Sequence, residues 1–97
     1  MASVIYPARS LANLERAFEF LRDEDPQAAL DAVVAIQTAV DALAAHPLLG
    51  RRVKGNIREL VISYGRTGYV AMYRFVVARD EVRILAIRHQ RELGFVP

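Results

Sequence analysis

Two amphipathic helices joined almost without a linker are the feature that most constrains the fold of this sequence. Each predicted helix carries a stripe of four large apolar residues at the spacing i, i+3, i+7 and i+10. The stripes are Leu11, Leu14, Phe18 and Leu21 in residues 8–24, and Val33, Ile36, Val40 and Leu43 in residues 26–46. Between them, Asp25 is a favourable N-cap and Pro26 is tolerated in the first turn of the next helix. Because so short a connection permits no crossover, the helices are predicted to form an antiparallel hairpin.

Three β-strands are predicted after the hairpin, because side chains alternate there with the period of two that strands show. The strands span residues 57–64, 69–77 and 82–88. Short turns at residues 65–68 and at Arg79-Asp80 make them an antiparallel meander. Val4-Ile5-Tyr6 is predicted to be a short N-terminal strand, and residues 47–55 are predicted to be irregular. The predicted fold is therefore α+β, with a helical hairpin packed on a C-terminal three-stranded meander in the order β-α-α-β-β-β.

Length and composition indicate one folded domain. The 97 residues, of which 54% are hydrophobic and 25% charged, support a single core and exclude an intrinsically disordered chain. The sequence shows neither an apolar run of about eighteen residues nor the pattern of a signal peptide. The absence of cysteine excludes disulfides and thiolate chemistry and fits a reducing compartment. We therefore expect one small soluble domain over residues 1–97, without membrane contact.

Charge is distributed unevenly along the chain. Three basic and seven acidic side chains give residues 1–50 a net charge of −4, whereas ten basic and four acidic ones give residues 51–97 a net charge of +6. Such a basic half favours a polyanion or an acidic partner. The predicted nucleic-acid contacts are Arg51, Arg52, Lys54, Arg66 and Arg91. The alternative is that arginines on alternate strand positions simply face water.

Few residues offer catalytic chemistry. His46 and His89 lack cysteines or suitably spaced carboxylates, and there is no glycine-rich phosphate loop, so we expect neither a metal nor another cofactor. RNA cleavage needs a base, an acid and cations, which His89 and its neighbouring arginines would supply. The alternative for His89 is a structural role at a strand end. For Arg74 the alternative is an ion pair with Glu59 or Glu81.

Four segments, in this order along the chain, resemble the RelE/ParE superfamily, the toxins of bacterial type II toxin–antitoxin modules. They are HPLLGR at 46–51, IREL at 57–60, YRF at 73–75 and VRILAIRH at 82–89. The resemblance spans essentially the whole chain. It implies a cytoplasmic toxin that a cognate antitoxin holds inactive by wrapping around the helical hairpin and the sheet.

The helical hairpin contains the residues that this resemblance makes candidates for antitoxin binding. Phe20 falls outside the apolar stripe of the first helix, and the second helix has a separate stripe of small residues. The candidate contacts are Phe20, Ala28, Ala35, Ala39 and Ala42. Alternatively, the alanines pack on the first helix or reflect helix propensity alone. An exposed stripe is also compatible with a homodimer when the antitoxin is absent.

The superfamily divides into two mechanisms, and the resemblance leaves both open. ParE-like members poison DNA gyrase, whereas RelE-like members cut mRNA on the ribosome. The closely joined hairpin and the Pro-x-x-Gly-Arg stretch at 47–51 favour ParE, as do the single lysine and the absence of a terminal tyrosine. The candidate catalytic residues of a nuclease are Arg58, Arg74, Arg88 and His89, which match positions used by some histidine-dependent members. We therefore expect a gyrase poison, with an mRNA endoribonuclease as the alternative.

Overall fold

The computed structural model describes residues 1–64 and 67–90. Its helices are α1 (Ala8–Arg22) and α2 (Pro26–Asp41), and its strands are β1 (Ser3–Ile5), β2 (Arg51–Lys54), β3 (Ile57–Tyr64), β4 (Thr67–Val76) and β5 (Glu81–His89). Single 3-10 turns occur at Ala42–Ala44 and Val77–Arg79. The helices pack on one face of the sheet, which confirms the predicted α+β fold.

The helical hairpin forms where the sequence predicts it. Asp25 caps α2, because its Oδ1 accepts hydrogen bonds from the backbone N–H groups of Gln27 and Ala28, both at 3.1 Å. The regular part of α2 ends at Asp41, before the predicted end at His46. The chain tightens there into the 3-10 turn, which keeps Leu43 fully buried.

The sheet has five strands in the order β1-β5-β4-β3-β2, so the predicted three-stranded meander is its centre rather than its whole extent. At one edge, β1 pairs in parallel with β5. At the other edge, β2 pairs antiparallel with β3, where the sequence had predicted irregular chain. All four side chains of β2 are exposed, and its register shifts between Arg52 and Lys54, so the strand lacks the alternation by which strands are recognised.

A β-bulge at Leu85 changes which side chains of β5 face the helices. Met72 pairs with Ala86 and Tyr73 with Ile84, so Leu85 is an extra residue on β5. Val82 and Ile84 before the bulge, and Ile87 after it, all belong to the core beneath the helices. His89 therefore lies on the helix side of the sheet, and Arg88 on the opposite face.

The core joins both helices to the inner face of the sheet. The largest fully buried apolar side chains are Tyr73, Ile36, Leu43, Ile84, Val40 and Val82. Ala29 and Ala32 are also buried, which brings the backbone of α2 close to its neighbours. Leu14, Phe18 and Leu21 are at least partly buried as their stripe predicts, whereas Leu11 is largely exposed.

The segment Pro26–Ala44 is long and apolar enough to cross a membrane by length and composition alone. Core helices of soluble proteins also have this length and composition. In this fold Ile36, Val40 and Leu43 pack in the core with the strands, which gives the apolar side of the segment a partner.

Candidate functional site

A cleft of about 490 Å³ lies between α1 and the ends of β4 and β5. Its lining residues are Asn13, Arg16, Ala17, Phe20, Tyr69, Ile87, Arg88 and His89. The volume falls within the range of about 300–1,000 Å³ that small-ligand and side-chain sites occupy. The lining combines aromatic and aliphatic walls with cations, a composition that suits an apolar group carrying negative charge.

Helical periodicity builds one wall of this cleft. Asn13, Arg16, Ala17 and Phe20 follow the spacing i, i+3, i+4 and i+7, so they share one face of α1. Asn13 fixes this face to the sheet, because its Oδ1 accepts a hydrogen bond from the backbone N–H of Ile87 at 3.0 Å. Phe20 remains 69% exposed at the other end of the wall.

His89 forms the opposite wall together with Tyr69. The two rings meet edge to face, with centroids 5.3 Å apart and planes at 87°. Tyr69 is buried and His89 is partly buried. This contact is the structural role considered for His89, and it also fixes the position of the imidazole at the cleft. Arg88 donates from Nη1 to the backbone oxygen of His89 at 3.4 Å.

The other two candidate catalytic arginines lie elsewhere. Arg58 donates from Nη1 to the backbone oxygens of Leu48 and Gly50, at 3.3 and 2.8 Å. Arg74 is exposed on the sheet face away from the helices, opposite Arg83 on β5. Glu59 and Glu81, the two carboxylates predicted as alternative ion-pair partners of Arg74, pair with other arginines instead. Glu59 pairs with Arg51 at 2.9 Å and Glu81 pairs with Arg83 at 2.8 Å.

Strand register shows how far apart the candidate catalytic residues lie. His89 pairs with Tyr69 and Arg58 pairs with Tyr73, four residues further along β4. At about 3.3 Å per residue, this places Arg58 about 13 Å along the sheet from His89. The structure thus brings Arg88 and His89 to one cleft, whereas Arg58 and Arg74 lie outside it. The catalytic roles of all four residues stay predictions.

A second feature, which the sequence did not predict, is a loop at residues 47–50 that is held from beneath by Tyr73. The fully buried Tyr73 hydroxyl accepts a hydrogen bond from Gly50 N–H at 2.8 Å and donates to the carbonyl of Pro47 at 2.9 Å. Burial raises the pKa of Tyr73, which outweighs the lowering effects of the Gly50 bond and of Arg58. The phenol therefore stays protonated and keeps its donor to Pro47.

We call residues 47–50 the braced loop, because Arg58 holds two more of its carbonyls. Gly50 packs so closely on Tyr73 that there is no room for a side chain, because a Cβ at Gly50 would lie 2.6 Å from Cε1 of Tyr73. Leu48 and Leu49 point outward from the loop and are 61% and 57% exposed. The only sequence signal for this arrangement was that HPLLGR, IREL and YRF occur together in the family resemblance.

The candidate antitoxin contacts on the hairpin divide between surface and core. Phe20 and Ala42 are exposed, Ala28 and Ala35 are half-buried, and Ala39 packs against the core. The small-residue stripe is therefore used partly for packing α2 within the protein. Of these five residues Phe20 also lines the cleft, and antitoxin binding at all five stays a prediction.

The candidate nucleic-acid contacts that the structure describes lie together on the edge strand β2. Arg51, Arg52 and Lys54 are all exposed. Arg51 pairs with Glu59, and Arg52 donates from Nε to the carbonyl of Gly55 at 2.8 Å. Arg66 and Arg91 lie outside the described residues. Within residues 1–64 and 67–90, no three histidine or acidic side chains come close enough together to hold a metal ion.

Comparison with known proteins finds similarity over nearly the whole chain. A family model described as "ParE toxin of type II toxin-antitoxin system, parDE" matches residues 4–94. Toxin RelE3 of Caulobacter vibrioides is 40% identical over 92 residues, which cover 95% of this chain and 98% of the relative. Putative toxin Y4kP of Sinorhizobium fredii is 40% identical over 86 residues, covering 87% and 83%.

Similarity extends to a solved structure. A chain of the chromosomal ParDE toxin–antitoxin system from P. aeruginosa superposes with a TM-score of 0.76 and is 27% identical. The match covers 92% of this chain and 96% of the other. The agreement in sequence and in fold therefore includes the hairpin and the sheet.

Proposed function

The chain belongs to the ParE toxin family of type II toxin–antitoxin systems, and from that premise we propose that it arrests growth by poisoning DNA gyrase in the cytoplasm. In this proposal the toxin binds gyrase and traps DNA that gyrase has cut. A cognate antitoxin prevents this by binding the toxin.

The observation that carries the proposal is the dispersal of Arg58, Arg74 and His89. Cleavage of RNA requires a base, an acid and cations within hydrogen-bond reach of one phosphate, at about 2.6–3.2 Å. Arg58 lies about 13 Å along the sheet from His89 and is held by loop carbonyls, and Arg74 faces the opposite side. A toxin that acts by binding requires no such convergence.

The match to the ParE family also supports gyrase poisoning over RNA cleavage. The family model spans residues 4–94, and the similar solved chain comes from a ParDE system. Both matches also support a cognate antitoxin for this chain. We propose that this antitoxin covers the exposed end of the cleft at Phe20, where Arg16 favours acidic residues.

A ribosome-dependent mRNA endoribonuclease is the second candidate function, and one observation favours it. His89 and Arg16 line the same cleft, which brings one imidazole and one guanidinium group to it, and Arg88 adjoins His89 on β5. Three of the curated relatives are also named RelE toxins. In this mechanism His89 moves the proton and the arginines stabilise the charged phosphate.

The decisive experiment uses purified full-length protein that has been shown to arrest growth when it is induced without antitoxin. The protein is incubated with gyrase, supercoiled plasmid and ATP, and cleaved DNA is released with detergent and protease. We expect cleaved plasmid to accumulate, and His89→Ala to retain this activity. Absence of cleaved plasmid, together with ribosome-dependent mRNA cutting that His89→Ala abolishes, would overturn the proposal in favour of the nuclease.

A further inference from the structure

We propose that Leu48 and Leu49 on the braced loop form an anchor for gyrase, while the cations of β2 contact the DNA that gyrase holds. This inference rests on the proposed function, and it names the surface through which that function is exerted. The surface lies outside the cleft and includes none of the candidate antitoxin contacts.

The exposure of the two leucines is the first observation behind this inference. Adjacent large aliphatic side chains, 61% and 57% exposed, leave a contiguous apolar surface in water. Neither Leu48 nor Leu49 belongs to the hydrophobic core. An exposed apolar patch beside polar residues is typical of a protein–protein contact.

The bracing of the loop is the second observation. Tyr73 holds Pro47 and Gly50, and Arg58 holds the carbonyls of Leu48 and Gly50, so the backbone on both sides of the leucines is fixed. A fixed backbone reduces the conformational entropy that is lost when a partner binds. Binding residues on loops are commonly positioned by a rigid scaffold in this way.

The chemistry that follows the loop identifies the partner. Gly50 leads directly into β2, whose exposed Arg51, Arg52 and Lys54 place positive charge beside the leucines. Cations of this kind bind the phosphate backbone without regard to sequence. Free nucleic acid has no apolar pocket for a leucine pair, whereas a protein bound to DNA offers both surfaces at once. Gyrase holding its DNA is therefore the occupant that matches this surface.

The test compares two double variants in the gyrase cleavage assay. Leu48→Ser with Leu49→Ser removes the apolar anchor, and Leu30→Ser with Val34→Ser is the matched control on the outer face of α2, where both residues are more than half exposed. We expect the loop variant to need at least about ten times more protein for half-maximal cleavage, as loss of a hot spot implies. We expect the control to stay within about two-fold of the wild type, as most exposed contacts do.

A second variant and its control test how much the positive charge of β2 contributes to gyrase cleavage. Arg52→Ala with Lys54→Ala is expected to weaken cleavage, and the difference from the wild type is expected to shrink as salt is raised, because added salt screens phosphate contacts. Arg22→Ala, which removes an exposed cation from α1, serves as the control. Thermal unfolding of every variant is measured first. If the double serine variant is less stable than the wild type, the single variants Leu48→Ser and Leu49→Ser replace it.

The outcomes distinguish this inference from the proposed function. If the wild type produces no cleaved DNA, both fail together. If the wild type cleaves and the loop variant cleaves equally well, the anchor is wrong and the gyrase function stands. If the loop variant keeps gyrase cleavage but loses antitoxin binding or self-association, the leucines serve one of those interfaces and the inference is overturned.

Discussion

The buried hydroxyl of Tyr73 accepts a hydrogen bond from the backbone N–H of Gly50 at 2.8 Å, across 23 residues of chain. The same hydroxyl donates to Pro47, so one side-chain oxygen satisfies two backbone groups of the loop. An inner residue of β4 is thereby connected to an outer loop. This one oxygen atom and the Arg58 guanidinium together hold the backbone of residues 47–50.

Tyr73→Phe is therefore expected to destabilise the protein by about 1–3 kcal/mol, because the N–H of Gly50 is left buried without its acceptor. The measurement is the free energy of unfolding from urea titration. Gyrase cleavage is expected to fall as well, since the leucines lose their fixed backbone. If Tyr73→Phe unfolds at the same urea concentration as the wild type, a water molecule must replace the hydroxyl as the acceptor for the Gly50 N–H.

Gly50→Ala tests the same contact from the opposite side. The added Cβ would lie 2.6 Å from the Tyr73 ring and 2.8 Å from the carbonyl oxygen of Glu59, so the loop or the ring must move. We expect a loss of about 1–3 kcal/mol in the free energy of unfolding, as for an overpacked core. Gly55→Ala is a matched control with nothing within 4 Å of the new Cβ, although its φ of +57° adds local strain. Equal stability of Gly50→Ala and wild type would contradict the close packing.

Asn13 is expected to fix α1 to β5 through its bond to Ile87. Asn13→Ala removes the acceptor for the Ile87 N–H, and we expect a loss of about 1–2 kcal/mol in unfolding free energy. Hydrogen exchange at the Ile87 amide should become faster. Asn13→Asp keeps an acceptor oxygen for the Ile87 N–H, and it should therefore restore most of the protection. Unchanged exchange in Asn13→Ala would show that another group satisfies this amide.

Tyr6 makes stability sensitive to alkaline pH. Burial, and to a lesser extent the charge of Asp41, raises the pKa of Tyr6 from 10.0 to about 12. The folded state therefore resists deprotonation of Tyr6, and its contribution to stability is complete below pH 10 and is lost as pH rises from 10 to 12. We expect Tyr6→Phe to remove part of the alkaline loss of stability, measured as the urea midpoint between pH 9 and 11.5.

The same variant has a second expected effect near neutral pH. Among the described residues, none provides a hydrogen-bond partner for the buried Tyr6 hydroxyl. Replacing Tyr6 with phenylalanine is therefore expected to leave stability at pH 7 equal or higher, in contrast to Tyr73→Phe. A clear loss of stability in Tyr6→Phe at pH 7 would indicate a partner such as an ordered water molecule.

Local pattern was sufficient to predict the hairpin and the three central strands. The Asp25-Pro26 signal and the spacing of Ile36, Val40 and Leu43 act over a few residues, and the structure preserves both. It was insufficient for β2, because Arg51–Lys54 has no alternation and forms only by pairing with β3. Local pattern also did not predict the bulge at Leu85. The residues on both sides of Leu85 are apolar, so the sequence does not show that the side chains after the bulge change to the other face of the sheet.

The candidate site was less predictable than the fold, for a related reason. The cleft combines Phe20, Asn13 and His89, and the braced loop combines Pro47, Gly50 and Tyr73. Partners in both features come from distant parts of the chain. Residue type indicated Phe20 and His89 as individual candidates, but their presence in one cleft depends on the bulge and on the packing of α1 against β5.

The position of β5 has a consequence for how the protein is made. Although β5 is the last strand that the structure describes, it lies inside the sheet between β4 and β1, and Ser3 pairs with the distant Glu81. Contacts between residues this distant in sequence slow folding, because closing the intervening chain costs conformational entropy. β1 is synthesised first, but it cannot pair in the sheet until β5 has been synthesised. A premature stop codon between Lys54 and Glu81 therefore yields a product that contains the braced loop and β2 but lacks this interior strand.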